Sequence, residues 1–345
     1  MASRSRFSHE VGSVKPHRVS SQMLRHPKPS QIALLLLACT LGGGSISGCT
    51  TLAPEWSGLG PNWHDLAEPA DSDSVVGLML RHQIDGPETL LDLMRPYNLG
   101  YVELVAANPG VDPWLPASGS KIVLPTAHLV PDGAREGIII NLAEQRLYFF
   151  DPAEGGATQS FPIGVSREGW ETPIGETRIV RKKEGPTWYP TASAREEDPT
   201  LGRKVDPGPE NPLGTHALYL DWPTYLIHGT NEPDGVGRRV SRGCIRLYPE
   251  DIIRLFEVAA VDTPVRVIHD PVKLARVGDA VFLEVHPTLE EMKHLEEEAS
   301  LPEIEPEDLR ERIKAAAGDA TPRINWALAY QTAAQRRGVP VRITR

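Results

Sequence analysis

Between residues 135 and 270 short apolar and β-branched runs alternate with Gly- and Pro-rich breaks, and this punctuation restricts the fold more than any other feature of the chain. Gly137–Asn141 and Gln145–Phe150 flank a short turn, which predicts a hairpin. Further strands are predicted at Ser160–Val165, Glu176–Lys182, Ala217–Leu220, Tyr225–His228 and Pro264–Ile268. Thr172–Gly175 and Asn211–Gly214 are among the turns between them. One helix is expected, opening at Pro249-Glu250-Asp251 and carrying Ile252, Ile253, Leu255, Phe256 and Val258. Many strands, many turns and one helix predict a mainly β domain, a β-sandwich or open barrel, over residues 135–270.

The flanks differ. Residues 75–126 predict a compact α+β unit: helices at Leu90–Met94 and Tyr101–Ala107, the second stopped by Asn108-Pro109-Gly110, then a strand from Lys121. Residues 271–345 predict a mostly helical appendage with one further strand at 281–285, helical pattern from Leu289 to Ala317 broken at Pro302 and Pro306, and a last helix over Asn325–Arg337. Residues 49–74, rich in Pro, Gly, Ser and Asp, read as a tether.

The chain has three cysteines, Cys39, Cys49 and Cys244. Cys244 lies in Ser241-Arg242-Gly243-Cys244-Ile245-Arg246-Leu247, sixteen positions after His228. A thiol with a histidine a short loop away can carry out nucleophilic acyl transfer, with His228 as the base. Gly243 permits a tight turn, so the backbone N–H groups of Arg242, Gly243 and Cys244 are candidates for an oxyanion hole. No Asp or Asn stands at an obvious spacing to orient the imidazole, and the carbonyl of Gly229 is the candidate substitute. Arg246, two residues after Cys244, is placed to grip a substrate carboxylate. Ser241 and Tyr189 are further candidate substrate contacts, Tyr189 and Trp188 lying in a Pro-rich insertion that is either a lid over the site or lid core. Arg238 and Arg239 read as surface charge. With no His-x-x-x-His pair and one free thiol, neither a metal nor another cofactor is expected.

Three resemblances extend this reading. Residues 1–48 combine a basic lead, a short apolar run from Ile32 and small residues, an export signal too short for a membrane span of about 20 residues. Its end, Ile46-Ser47-Gly48-Cys49, resembles a bacterial lipobox, which implies lipid on Cys49, cleavage before it, and a periplasmic location on the inner leaflet of the outer membrane; the alternative is an ordinary secretory signal or an uncleaved anchor. Glu88-Thr89-Leu90, Tyr97, Leu104, Ala107-Asn108-Pro109 and Ile122–Pro125 resemble a LysM module, a βααβ fold that binds cell-wall glycan, although Gly86-Pro87-Glu88-Thr89-Leu90 replaces its usual Gly-Asp-Thr-Leu opening. Such a unit either binds glycan or only packs on its neighbour.

His228-Gly229-Thr230 followed by Ser241–Leu247, with the turns at Thr172–Gly175 and Asn211–Gly214, resembles the L,D-transpeptidase (YkuD-type) catalytic domain. Glu136–Glu144 is similar to the periplasmic branch that attaches an outer-membrane lipoprotein to peptidoglycan, and Arg242 stands where many members have histidine. The resemblance implies that Cys244 forms a thioester with the third stem-peptide residue, releasing D-Ala, and that an amine takes the acyl group. It also implies a carbapenem target. The implied partners are peptidoglycan stem peptides and an anchored lipoprotein with a C-terminal lysine, and the acceptor is that lysine, a second stem peptide or water. A wall-binding structural lipoprotein and a Cys-His peptidase of proteins are the alternatives. Loss of residues 1–48 removes six basic residues and one acid, taking the net charge from −10 to −15, which disfavours nucleic acid as a partner.

Overall fold

A computed structural model describes residues 74–153, 156–298 and 308–345; the expected signal, Cys49 and nearly all of the tether lie outside them. Eight strands form one sheet: β1 (Gly137–Asn141), β2 (Arg146–Phe150), β3 (Thr158–Pro162), β4 (Gly175–Glu184), β5 (His216–Leu220), β6 (Leu226–His228), β7 (Ile245–Arg246) and β8 (Pro264–Ile268). Their spatial order is β7-β6-β5-β4-β8-β1-β2-β3. Only β6–β7 and β8–β1 are parallel. The sheet curls until its ends meet: Gly164, just beyond β3, exchanges both backbone hydrogen bonds with Arg246 of β7, at 2.9 and 3.0 Å. Of the two architectures expected, the open barrel is therefore the one adopted.

Alternation along the strands fills the inside of the curl. Ile138, Ile140, Leu147, Phe149, Ile179, Leu218, Ile227, Ile245 and Val267 face one enclosed core. Helix Pro249–Val258 closes it with Ile252 and Leu255, and Pro249 at its first turn fits the N-terminus.

The unit before the barrel has strand Leu80–Gln83 antiparallel to Lys121–Leu124, with helices Leu90–Met94 and Tyr101–Ala107 between them. The first helix opens on a reciprocal capping box of Thr89 and Asp92. The second stops at Asn108, whose amide donates to Leu104 and Val123 carbonyls and accepts from the Val123 N–H. The unit is docked on the barrel. A Cβ on Gly100 would lie 2.7 Å from the Gly237 Cα, so glycine lets the two backbones touch, and the Val102 N–H donates to the Gly237 carbonyl at 3.0 Å. Arg238, expected as plain surface charge, stacks 3.4 Å over the Tyr101 ring, and Arg239 donates to the Ser166 carbonyl.

The C-terminal region is not helices and a lone strand. Val272–Val277 and Ala280–Val285 form a hairpin joined by Val341–Arg342, and helices Leu309–Ala317 and Trp326–Gln335 cover its apolar face. Strand Val272–Val277 was not anticipated because Lys273 and Arg276 obscure its alternation. Both polar positions have structural partners. Lys273 Nζ is buried between Glu144 Oε2 (2.5 Å) and Glu284 Oε1 (2.8 Å) and also donates to Tyr148 Oη (3.1 Å) and the Leu129 carbonyl (2.7 Å). One ammonium thus ties the barrel, the C-terminal sheet and the segment after the first unit.

Candidate active site

On β5, β6 and β7 the residues between core positions face outward. His228 pairs with Ala217 on one side and Arg246 on the other, so their side chains share one sheet face. The insertion between β4 and β5 covers that face. The open cleft there is about 780 Å³ and its walls include His228, Cys244, Arg246, Tyr225, Trp188 and Tyr189. The fold thus places Cys244, His228 and Arg246 on the wall of one cavity.

The imidazole is held from behind. His228 Nδ1 lies 2.6 Å from the Gly229 carbonyl, which fixes Nδ1 as the protonated nitrogen and leaves Nε2 as the proton acceptor. Burial, and then the Arg246 charge, push His228 down to about 3, while the Gly229 bond opposes them. The Cys244 thiol is pushed up by burial, against opposing effects of the Leu226 backbone and Arg246. Both groups are therefore uncharged at rest, a thiol and a neutral imidazole.

The loop carrying the sulfur is fastened by hydroxyls. Thr172 Oγ1 donates to the Gly243 carbonyl at 2.9 Å, and Ser241 Oγ to the Cys244 carbonyl at 2.5 Å. Ser241, expected to touch substrate, is largely buried at the cavity wall, and its hydroxyl braces the thiol's backbone. Gly243 has φ +103°, and a Cβ there would lie 2.8 Å from Tyr225 Cε1, which explains glycine at this position. Thr224 has φ +72°, a strained value for a β-branched residue, and its carbonyl is 3.5 Å from Cys244 Sγ.

Arg246 is half-buried, and its Nε has no hydrogen-bond partner. Arg242 does not project freely into the cavity: it donates to Glu197 of the lid helix Ala192–Glu197, at 2.5 Å, and Arg167 holds the same carboxylate at 2.6 Å. Tyr189 is 68% exposed on the cavity rim. Thr172, Thr224, Tyr225 and the lid anchor Glu197 were not singled out as site residues; only Thr172 had a signal, its place in the Thr-Pro-Ile-Gly turn.

Among the described residues, His128, Glu144 and Glu284 come within metal-ligand reach of one another. The Lys273 ammonium already lies against both carboxylates, so the charge a cation would bring is present in the chain itself.

The curled barrel carries a thiol, an imidazole and a guanidinium on one cavity wall, and residues 135–267 match the L,D-transpeptidase catalytic domain (YkuD). The chain belongs to the L,D-transpeptidase family and is a transpeptidase. It is 42% identical over 255 residues to Probable L,D-transpeptidase ErfK/SrfK of Salmonella typhimurium, covering 72% of this chain and 80% of that protein. It is 39% identical over 253 residues to Probable L,D-transpeptidase YbiS of Escherichia coli K12, with the same two coverages of 72% and 80%. The solved catalytic domain of the E. faecium L,D-transpeptidase aligns at 22% identity and a TM-score of 0.30, over 39% of this chain and 96% of that one.

Proposed function

We propose that this enzyme transfers acyl groups of peptidoglycan stem peptides through a thioester on Cys244. The observation that carries the reading is the 2.6 Å contact between His228 Nδ1 and the Gly229 carbonyl, because it presents Nε2 as a base in the cavity that Cys244 lines. Nε2 takes the thiol proton as Sγ attacks the carbonyl of the third stem residue. The C–N bond to D-Ala breaks, and the leaving amine takes that proton. An acceptor amine then attacks the thioester, gives its proton to His228 and forms the new amide while the sulfur leaves.

A trans peptide points its C=O and N–H in opposite directions. Tying the Gly243 carbonyl to Thr172 therefore aims the Cys244 N–H the other way, a geometry suited to an oxyanion. Arg246, with its unpartnered Nε, binds a carboxylate of the donor stem. A lipid anchor at Cys49 would hold the enzyme at the membrane, and the docked 75–126 unit would add glycan contact; both extend the reading from sequence resemblance.

The test is incubation with tetrapeptide muropeptides, with and without a peptide ending in lysine, followed by mass spectrometry. The expected result is an acyl mass on Cys244 that Cys244→Ala lacks, release of D-Ala, and a new amide in the presence of the amine. Carbapenem labelling that persists in Cys244→Ala would refute the assignment of the nucleophile.

A further inference from the structure

We infer that Arg181 and Lys183 form a second carboxylate-binding position, one that reads the acceptor, so that the preferred acceptor is an amine whose own residue carries a free carboxylate. This rests on the acyl-transfer reading above and names a specificity determinant of the same site.

The strand register carries the argument. Lys183 pairs with Ala217, Ala217 with His228, and His228 with Arg246, so one row crosses four strands on the cavity face. One step along, Arg181 pairs with Tyr219 and Tyr219 with Leu226. Strands lie about 4.8 Å apart, so Arg246 and Lys183 sit at opposite ends of a row about 14 Å long. His228 is about 5 Å from the first and about 10 Å from the second by the same spacing. The base thus stands between two cationic ends. Arg246 is adjacent to Cys244 and serves the donor. An amine approaching Nε2 from the β4 side meets the other end.

The chemistry of that end suits an anion. Arg181 lies 3.6 Å over the Tyr219 ring, which fixes the guanidinium plane and leaves its N–H edge free for a fork of two hydrogen bonds. Among the described residues neither Arg181 nor Lys183 has a carboxylate partner, although acids outnumber basic residues 46 to 36 in the chain. The cavity wall reverses that balance: Arg181, Lys183, Arg242 and Arg246 line it against one carboxylate, Glu171, whose Oε1 accepts from the Gly169 N–H. With Arg242 held by Glu197, the uncommitted charge lies at the two ends of the row. The separation of about 10 Å between the β6 and β4 positions suits an amine at the far end of a side chain, as in a chain-terminal lysine, better than one on the carboxylate-bearing carbon itself.

The experiment compares acceptor pairs within each protein, so overall activity cancels. A peptide ending in lysine is offered as the free carboxylate and as the carboxamide, with tetrapeptide muropeptide as donor. A diamino-acid acceptor is offered in the same two forms. For the natural chain the carboxylate form is expected to have the higher kcat/KM by about tenfold, the scale of one partly exposed charge-assisted contact, and the ratio is expected to be larger for the lysine pair. In Arg181→Met/Lys183→Met the ratio falls to near one. Equal use of both forms by the natural chain, or discrimination that survives in the double variant, overturns the inference. Binding of the same peptides to Cys244→Ala by calorimetry reads the position without turnover, and equal affinities for acid and amide there also overturn it. Failure to detect any Cys244 thioester strikes the acyl-transfer reading instead, and is scored separately from the ratio.

Discussion

Replacing Lys273 by Met tests how much the junction between barrel and C-terminal sheet depends on one charge. The ammonium contacts Glu144 and Glu284, and all three side chains are at most 1% exposed. Methionine fills similar space but takes the ammonium away from two buried carboxylates, leaving His286 beside them, and leaves the Tyr148 hydroxyl and Leu129 carbonyl short of a donor. Stranding one partner of a buried pair costs about 3–5 kcal/mol. At roughly 2–4 °C per kcal/mol for a domain of this size, the melting temperature should drop by about 10 °C. Adding Glu144→Gln to Lys273→Met removes one stranded charge and should recover part of the loss. Lys293→Met is the control: its 3.9 Å contact with Glu168 joins side chains that are 59% and 78% exposed. That variant should stay within about 1 kcal/mol of the parent. Urea unfolding at neutral pH, with the slope checked for constancy, measures all three. If Lys273→Met matches Lys293→Met, the ammonium does not hold this junction and the argument fails.

Gly243→Ala should cost about 2 kcal/mol of stability from the positive φ alone and slow Cys244 acylation more than tenfold, because the Cβ displaces Tyr225; adding Tyr225→Ala should relieve the contact but not the backbone term, as calorimetry and acylation rates will tell. Glu197→Gln releases the lid helix from Arg167 and Arg242, so trypsin should cut near Arg195 and Arg203 several-fold faster while the melting temperature barely changes, since the side chains of both pairs are 33–40% exposed. His128 is held neutral, pushed well below the usual imidazole range by burial and then by the charges of Arg146, Lys273 and His286, and His228 is held neutral at about 3. Their stabilising contribution is complete above the unfolded value of about 6.5 and is lost as pH falls below it, by roughly 1.4 kcal/mol per pH unit for each; denaturation curves between pH 7 and 5 should show this slope, and His128→Gln should flatten it. With the thiol pushed up by burial, alkylation of Cys244 by iodoacetamide should still be rising at pH 9; a plateau below pH 7 would mean a resting thiolate.

Much of the barrel was legible because its strands are short apolar alternations bounded by Gly and Pro, so local pattern and tertiary role agree from Gly137–Asn141 through Pro264–Ile268. The two helices of the first unit were legible from their apolar clusters and the Pro- and Gly-containing stops after them. Strand Val272–Val277 was not, because Lys273 points inward to a charge partner that lies 129 residues away in Glu144. The second task of Ser241, bracing the Cys244 carbonyl, was not legible, because that acceptor is set by the turn of the loop. Arg181 and Lys183 drew no notice on a strand of alternating charge, since nothing local shows that β4 lies two strands from His228.

What the amino-acid order offered by itself was the set of candidates: one thiol in a Gly-Cys turn, one histidine followed by glycine, one arginine two places on, all of which depend on chemical identity and short spacing. Tertiary structure alone decided which face those side chains share, which carbonyl turns the imidazole, and which cations stand at the two ends of the cavity. These depend on strand register and on the meeting of Gly164 with Arg246, contacts between residues far apart in the chain that no local pattern encodes.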